Sequence, residues 1–340
     1  MMINEIIESP FCDGVAHLQR KSGTHTFRKE TYDIVEHYYR CEVTGEEFTT
    51  DEIDQINLNQ VYNQYRDRYG LPFPDQIKRI REKYGVSASK MSDILGLGAN
   101  SYRLYEQGEV PSVGNGRLIL AADDPEEFKR FLRSSEEIIG ERDYQKLTRR
   151  VDELIEENRA NWLSFARVNE LFGKIVPDEF TGYRLPQLEK IAQMILFFSE
   201  RTDTWKTKLN KLLFYSDFLA FKQSGYGISG LEYRAIQMGP VPSQFDELYS
   251  EINRGEIVRR EYQEFDDGNY GSKFIPLKAF DPSCFDEFEI AIMQEVARKF
   301  GPMKTNEVIR ASHDEKAWME CHADKKIISY KKYGFDLRQV

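Results

Sequence analysis

Nothing in this chain of 340 residues is apolar over the length needed to cross a bilayer, and the longest apolar run, around residues 195–198, reads as part of a buried helix. The opening residues, Met1-Met2-Ile3-Asn4-Glu5, lack the basic stretch followed by an apolar stretch that marks a secretory leader. Cysteine is scarce: four residues, at 12, 41, 284 and 321, are widely scattered, which suits a reducing cytosol better than a disulfide framework. Basic residues are not in excess either, and the formal net charge of -10 argues against a chain coated along its length by nucleic acid. The ingredients of catalysis are missing as well. No nucleophile with an adjacent base, no metal-ligand cluster and no glycine-rich phosphate loop can be assembled. His313 with Cys321 and His322 comes nearest, but no third orienting group accompanies them. These absences lead to the expectation of a cytoplasmic protein that is not an enzyme, holds no cofactor and spans no membrane.

What is present is an ordinary globular composition, 40% hydrophobic and 31% charged, over a length that favours more than one domain. Four segments are expected. Residues 1–70 alternate as strands around 24–28 and 34–41, with Gly14, Gly23 and Gly45 as punctuation, then turn helical over 53–68 behind a cap at Thr50 or Asp51. Residues 71–133 break into short helices with readable ends. Pro74 opens the first, which stops near Gly85, and Ser87 caps a second that ends at Gly96. A third runs from Ala99 or Asn100 to near Gly108, Ser112 caps a fourth, and Asp124-Pro125-Glu126-Glu127 opens a fifth. Residues 134–185 are expected as a charged helical connector, over 136–157 and 162–172, with the alternative that they are simply more of a neighbouring domain. Residues 186–340 have their own core. It centres on a helix apolar almost all round (Leu209, Leu212, Leu213, Phe214, Tyr215, Phe218, Leu219), followed by a strand over 232–238, a rigid turn at Gly239-Pro240-Val241-Pro242 and a helix capped by Ser243. A hairpin is predicted from 256–265 and 272–280 around Asp266-Asp267-Gly268-Asn269, with closing helices over 285–300 and from Ser312 past Trp318. The fold class is mainly α, α+β overall.

Between Leu71 and Ser135 about ten Lys or Arg stand against about nine Asp or Glu, so a near-neutral segment sits on an acidic body. Within it, residues 87–108 have the layout of a helix-turn-helix: a supporting helix with Met91, Ile94 and Leu95 inward, a glycine-containing turn, and a second helix. Tyr102 and Tyr105, at i and i+3, are expected to pack inward and to leave Asn100, Ser101, Arg103 and Gln107 outward. Asn100, Arg103 and Gln107 fall on one helical stripe, and their side chains suit adenine or guanine edges in the major groove. Ser87 and Ser89, at a helix start, are placed for phosphate. A polar stripe is also what a solvated helix face looks like. The surrounding pattern, Tyr105-Glu106-Gln107-Gly108-Glu109-Val110-Pro111-Ser112, resembles the XRE-type helix-turn-helix. Gly98-Ala99-Asn100-Ser101-Tyr102-Arg103 further resembles the DNA-binding half of MqsA-type antitoxins. In that pattern Glu106 is expected to brace the fold, and Leu104 departs from it by standing where a polar reader would.

The resemblance implies an N-terminal zinc ribbon with two Cys-x-x-Cys knuckles. Here Ser9 stands three residues before Cys12 and Thr44 three after Cys41, so one cysteine of each knuckle is left. The expectation is a metal-free, ribbon-like fold packed by Phe11, Phe27, Tyr38, Tyr39 and Phe48. Farther along, residues 211–218, then Gly225, Gly230, Tyr233, Ala235 and 239–243, and later 312–318 and 328–330, resemble the Panacea domain of SocA-like antitoxins. That resemblance implies a toxin-neutralising domain, with Lys211, Tyr215, Asp217, Pro240 and Pro242 as candidate toxin contacts. From the residues alone, Asp217 reads as a hydrogen-bonded group on an apolar helix, and 312–315 has capping-box spacing. The two resemblances together imply an antitoxin of a type II toxin-antitoxin system, with a cognate protein toxin and operator DNA as partners and a homodimer as its working form. The alternative is a transcriptional regulator without a toxin, whose C-terminal domain binds another protein.

Overall fold

The computed structural model describes residues 2–160, 171–172, 176–264 and 270–340, and no helix among them is long and apolar enough to cross a membrane. Two compact units emerge, 1–60 with 171–340 and 61–170, the division falling inside one helix between Gln60 and Val61. The expected connector helix over 162–172 and the hairpin turn at 266–269 fall mainly outside the described residues.

The first unit opens with an antiparallel meander of β1 (Ile6–Glu8), β2 (Val15–Phe27), β3 (Glu30–Cys41) and β4 (Glu47–Phe48) in sequential order. The long β2–β3 ladder turns on Arg28 and Lys29, both at positive φ, the tight hairpin turn that matches strand twist. Its core differs from the expected set. Ala16, Leu18, Tyr39 and Ile53 are buried with Phe48 against them, whereas Phe11 is exposed and Phe27 and Tyr38 are only half-buried. Beyond β4 the outer edge of β3 is closed by side chains of α1 (Asp51–Tyr69). Gln60 accepts from the Val35 amide and donates to the Val35 carbonyl, both at 2.8 Å. Asn57 does the same for His37 at 2.9 Å. These amides stand in for a missing strand and leave no open ladder at those two residues.

The rest of this unit surrounds a central helix. After α9 (Leu188–Arg201) comes α10 (Lys206–Ser224), buried from Lys208 to Phe221, as a helix apolar on every face must be. Strands β5 (Tyr233–Ile236) and β6 (Gly239–Pro242) form a hairpin, then α11 (Phe245–Arg254) leads to a second hairpin, β7 (Val258–Glu264) with β8 (Tyr270–Pro276). Helices α12 (Glu287–Phe300), α13 (Thr305–His313), α14 (Lys316–Cys321) and α15 (Tyr330–Tyr333) close the unit. Three expectations are corrected here. Gly239 to Pro242 is the returning strand, with the turn one step earlier at Gln237 and Met238. The cap of α11 is Gln244, not Ser243. Ser312 lies inside α13 and bonds back to the Ile309 carbonyl at 2.8 Å, so no capping box forms at 312–315; a box joins Asp286 and Glu289 at the start of α12, and Glu307 accepts from the Lys304 amide at 2.7 Å at the start of α13.

The N-terminal meander packs on this frame. The Ile3 amide reaches Gln223 at 2.6 Å, Asn59 donates to the Ser224 carbonyl at 2.9 Å, and the His37 ring meets Phe335 edge-on at 4.8 Å. The first segment is therefore not separate from the last, as the sequence reading had it.

Among the described residues the second unit holds the end of α1 and seven further helices: α2 (Pro74–Lys83), α3 (Ala88–Leu95), α4 (Ser101–Glu106), α5 (Val113–Ala121), α6 (Pro125–Ser134), α7 (Glu136–Ile139) and α8 (Glu141–Ala160). Their ends are the ones the sequence marks. Ser87 accepts from the Lys90 amide, Ser112 from Asn115 and Asp124 from Glu126. Gly96 closes α3 in the left-handed conformation. Leu147, Val151, Leu154 and Ile155 of α8 join one core with Ile77, Met91, Tyr102 and Phe128. Residues 141–160 are thus built into this unit and do not form a free connector.

Candidate functional site

Around α4 the framework and the surface separate cleanly. Tyr102 is fully buried, its hydroxyl donating to the Ile77 carbonyl at 2.8 Å while its amide donates to Ser92 Oγ at 3.2 Å. Tyr105 accepts from Asn115 at 2.9 Å. Glu106 receives Arg81 at both carboxylate oxygens, at 2.5 and 3.3 Å, in a largely enclosed pair that holds Arg81 above its usual pKa. Glu106 therefore braces α2 against α4. Arg66, with no exposed surface, donates to the Gly108 carbonyl at 2.6 Å and fixes the chain just beyond α4.

Outside this frame stand the expected readers. Asn100, Arg103 and Gln107 are exposed and Ser101 is half-buried. Asn100 (φ -112°, ψ 1°) and Gln107 (φ -85°, ψ 0°) are the cap positions of the six-residue α4, each tied to it by an i to i−4 bond at 3.1 Å (Leu104 N to Asn100 O, Gln107 N to Arg103 O), and Arg103 is the exposed polar residue within the helix. Leu104 is exposed beside it. Ser87 and Ser89 are both exposed at the start of α3, and the Ser87 hydroxyl is already engaged as the cap.

The C-terminal motif residues fare differently. Lys211, Tyr215, Asp217, Pro240 and Pro242, expected as partner contacts, are all buried, although Pro242 lines a cavity with Leu231, Gln244 and Leu248. Asp217 accepts from the Ile228 and Ser229 amides, each at 2.7 Å, from Ser229 Oγ at 2.5 Å and from Tyr233 OH at 2.7 Å. Burial pushes its pKa up, and those four bonds fasten the loop after α10. Tyr215 stacks on Phe300 at 4.2 Å. Pro240 and Pro242 pair with Ala235 and Tyr233 in the first hairpin. The other side of β5 is occupied by the chain near Ile327, through Ala235 N to Lys326 O (3.1 Å) and Ile328 N to Tyr233 O (2.8 Å).

Lys211 is the exception in chemistry. Its Nζ has no hydrogen-bond acceptor among the described residues, and burial holds it down to about 7. It lies against Gly239, where any Cβ would come within 2.6 Å of Lys211 Cε and 2.4 Å of Ser312 Oγ; at φ 95° the position demands glycine twice over. Nearby, Trp318 is sandwiched between His313 (3.7 Å) and His322 (4.0 Å) and donates to the Ile236 carbonyl at 2.8 Å. Cys321 is buried, 3.5 Å from Tyr333 OH. His313 and His322 thus flank a tryptophan, while Cys321 faces Tyr333 instead.

Sequence reading missed a surface on the β7–β8 hairpin. One face of this hairpin carries Val258, Arg260, Tyr262 and, across the ladder, Phe274, Ser272 and Tyr270. Val258, Phe274 and Ser272 are buried, but the same face runs on past the core and leaves Tyr262 67% and Tyr270 69% exposed. With Trp205, Met238 and Arg260 they line an open groove. The period of two in these strands was the available signal, but it could not show where the core beneath them ends.

At the tip of the meander the four knuckle positions do come together. Cys12 Sγ and Cys41 Sγ are 3.4 Å apart and the Thr44 amide donates to Cys41 Sγ at 3.4 Å, while the Thr44 hydroxyl donates to Glu46 at 3.1 Å and the Ser9 hydroxyl accepts from the Phe11 amide at 3.2 Å. Zinc in such a ribbon needs four nitrogen or sulfur ligands, and Ser9 and Thr44 offer hydroxyls where two sulfurs would stand. The residues present do not fit zinc.

The geometry first defines a class, a helical domain built round one buried helix with two short hairpins at its side. Residues 209–319, from α10 to α14, match the family described as antitoxin SocA-like, Panacea domain. The chain therefore carries a Panacea antitoxin-like domain within a unit that also includes its N-terminal meander. No curated protein matches the chain.

Proposed function

We propose that this chain is the antitoxin of a type II toxin-antitoxin system. Residues 209–319 neutralise a cognate protein toxin, and the helices α3 and α4 act as a helix-turn-helix that binds the operator of the chain's own operon. The match of residues 209–319 to an antitoxin domain carries the reading. The DNA half is supported by the exposed polar side chains of Asn100, Arg103 and Gln107 on a buried aromatic frame, with major-groove chemistry as their use. Ser87, Ser89 and Ser101 take phosphate in this reading. Two copies acting as a homodimer would read two half-sites, and the reading includes no catalytic step.

The toxin face in this proposal is the groove of Trp205, Met238, Arg260, Tyr262 and Tyr270, since the five motif residues are enclosed. Tryptophan, tyrosine, methionine and arginine are the residues that dominate protein interfaces, and here they surround ground that the fold itself leaves uncovered. The test is co-expression with the product of the adjacent gene. The expected outcome is rescue of growth and co-purification by the wild-type chain, both lost in the Tyr262→Ala, Tyr270→Ala double variant. Operator binding with no effect on any neighbouring product would instead favour a regulator without a toxin.

A further inference from the structure

We propose that Cys12 and Cys41 are a redox-active dithiol that closes into an intramolecular disulfide when it meets a hydroperoxide.

The two sulfurs arrive from different parts of the chain and face one another. Cys12 lies in the loop between β1 and β2, closed by a bond from the Ser9 amide to the Gly14 carbonyl at 3.0 Å. Cys41 ends β3, its residue registered against Ala16 of β2. Both sulfurs are fixed by backbone donors: Gly14 N to Cys12 Sγ at 3.3 Å, Thr44 N to Cys41 Sγ at 3.4 Å. At 3.4 Å the pair is in contact but not bonded, and both are free thiols. The donors around Cys41 favour its thiolate, bringing its pKa to about 6, with the Ser9 hydroxyl contributing most.

Accessibility divides the roles. Cys41 is 1% exposed, whereas Cys12 is half-buried and meets solvent. Having given its proton to water, Cys12 attacks one peroxide oxygen and breaks the O–O bond; the departing hydroxide takes that proton back and leaves as water, and Cys12 becomes a sulfenic acid. Cys41, as its thiolate, attacks the Cys12 sulfur, and the hydroxide that leaves takes up the proton Cys41 had released, giving a second water while the S–S bond forms. Two thiols and one peroxide thus give one disulfide and two waters. The second step is intramolecular across contact distance, so linkage outruns further oxidation of the sulfenic acid. The bond would tie the two loops at the tip of the meander, 9–14 and 41–46, on the unit that carries the Panacea-like region.

The other cysteines act as internal controls. Cys284 is exposed, but its surroundings hold its pKa above the usual thiol value, and Cys321 is buried. The experiment treats the full chain with equimolar hydrogen peroxide, alkylates the remaining thiols and maps the peptides. The expected product has lost about 2 Da, the two thiol hydrogens. Its Cys12 and Cys41 peptides are linked, Cys284 and Cys321 are still alkylated, and dithiothreitol restores the starting mass. Cys12→Ser loses the link. The wild-type chain equilibrated in glutathione redox buffers gives the same linked pair without any variant. Independent conversion of Cys12 and Cys41 to sulfinic acids, consumption of Cys284 before them, or no linkage in either oxidant would overturn the proposal.

Discussion

The surroundings of α4 and of α10 use their motif residues in opposite ways. At α4 the pattern divides: Tyr102, Tyr105 and Glu106 go inward as scaffold, while Asn100, Arg103 and Gln107 stay outside. At α10 nothing divides, because Lys211, Tyr215 and Asp217 are enclosed together and Pro240 and Pro242 lie in a covered hairpin. The lesson concerns what a motif encodes. A set of residues can identify a domain by specifying its interior, and the surface that meets a partner is then written in other residues.

This contrast can be broken by substitution. The largest effect belongs to Asp217→Ala. It strands two amides and two hydroxyls in a dry core, and the cost is about 3 kcal/mol or more in urea unfolding. An unfolding midpoint left in place would return Asp217 to the list of partner contacts. Glu106→Ala comes next, at about 2 kcal/mol, because the Arg81 guanidinium loses its carboxylate in a largely enclosed site. Operator binding by that variant should fall only as far as its folding does, and a selective loss of binding would make Glu106 a reader.

Lys211 sharpens the comparison, since its charge is enclosed without an acceptor. Unfolded, it titrates near its ordinary 10.5; folded, at about 7. Between those values the unfolded chain binds more protons, so stability climbs with rising pH, and below about 7 the full penalty is present. Lys211→Met should remove that slope and gain about 1 kcal/mol at neutral pH, as replacing an unpaired buried charge does. A loss of stability would show that the ammonium has a partner in solution. The smallest effect on stability, within about 0.5 kcal/mol, is expected for Asn100→Ala and Arg103→Ala, which touch no core. On specific DNA each should still cost about 1 to 3 kcal/mol, read by titration at fixed salt. Binding that stays unchanged in the double variant would remove α4 from the reading surface.

Local chemistry made much of this fold legible. Caps at Ser87, Ser112 and Asp124, the left-handed Gly96 and the largely apolar helix at 209–219 are decided within a few residues, and the structure has them where the spacing put them. What the sequence concealed depends on distant partners. Asn57 and Gln60 read as ordinary polar helix residues until β3 lies beside them with its edge open. The packing of the meander on α10 rests on contacts such as Ile3 to Gln223 that no periodicity announces. That Asn100 and Gln107 fall at the caps of a six-residue α4, with Arg103 as the exposed polar residue within it, follows from the turns the core allows. The aromatic groove was hidden for the same reason, since exposure of Tyr262 and Tyr270 follows from where the core stops.

The division of labour between the two surfaces is tested most directly by growth rescue against the neighbouring gene product, with the wild-type chain, the Asn100→Ala, Arg103→Ala variant and the Tyr262→Ala, Tyr270→Ala variant compared at equal soluble levels. The account predicts full rescue by the first two and none by the third. Rescue by the groove variant, or failure of the wild-type chain itself, would contradict it.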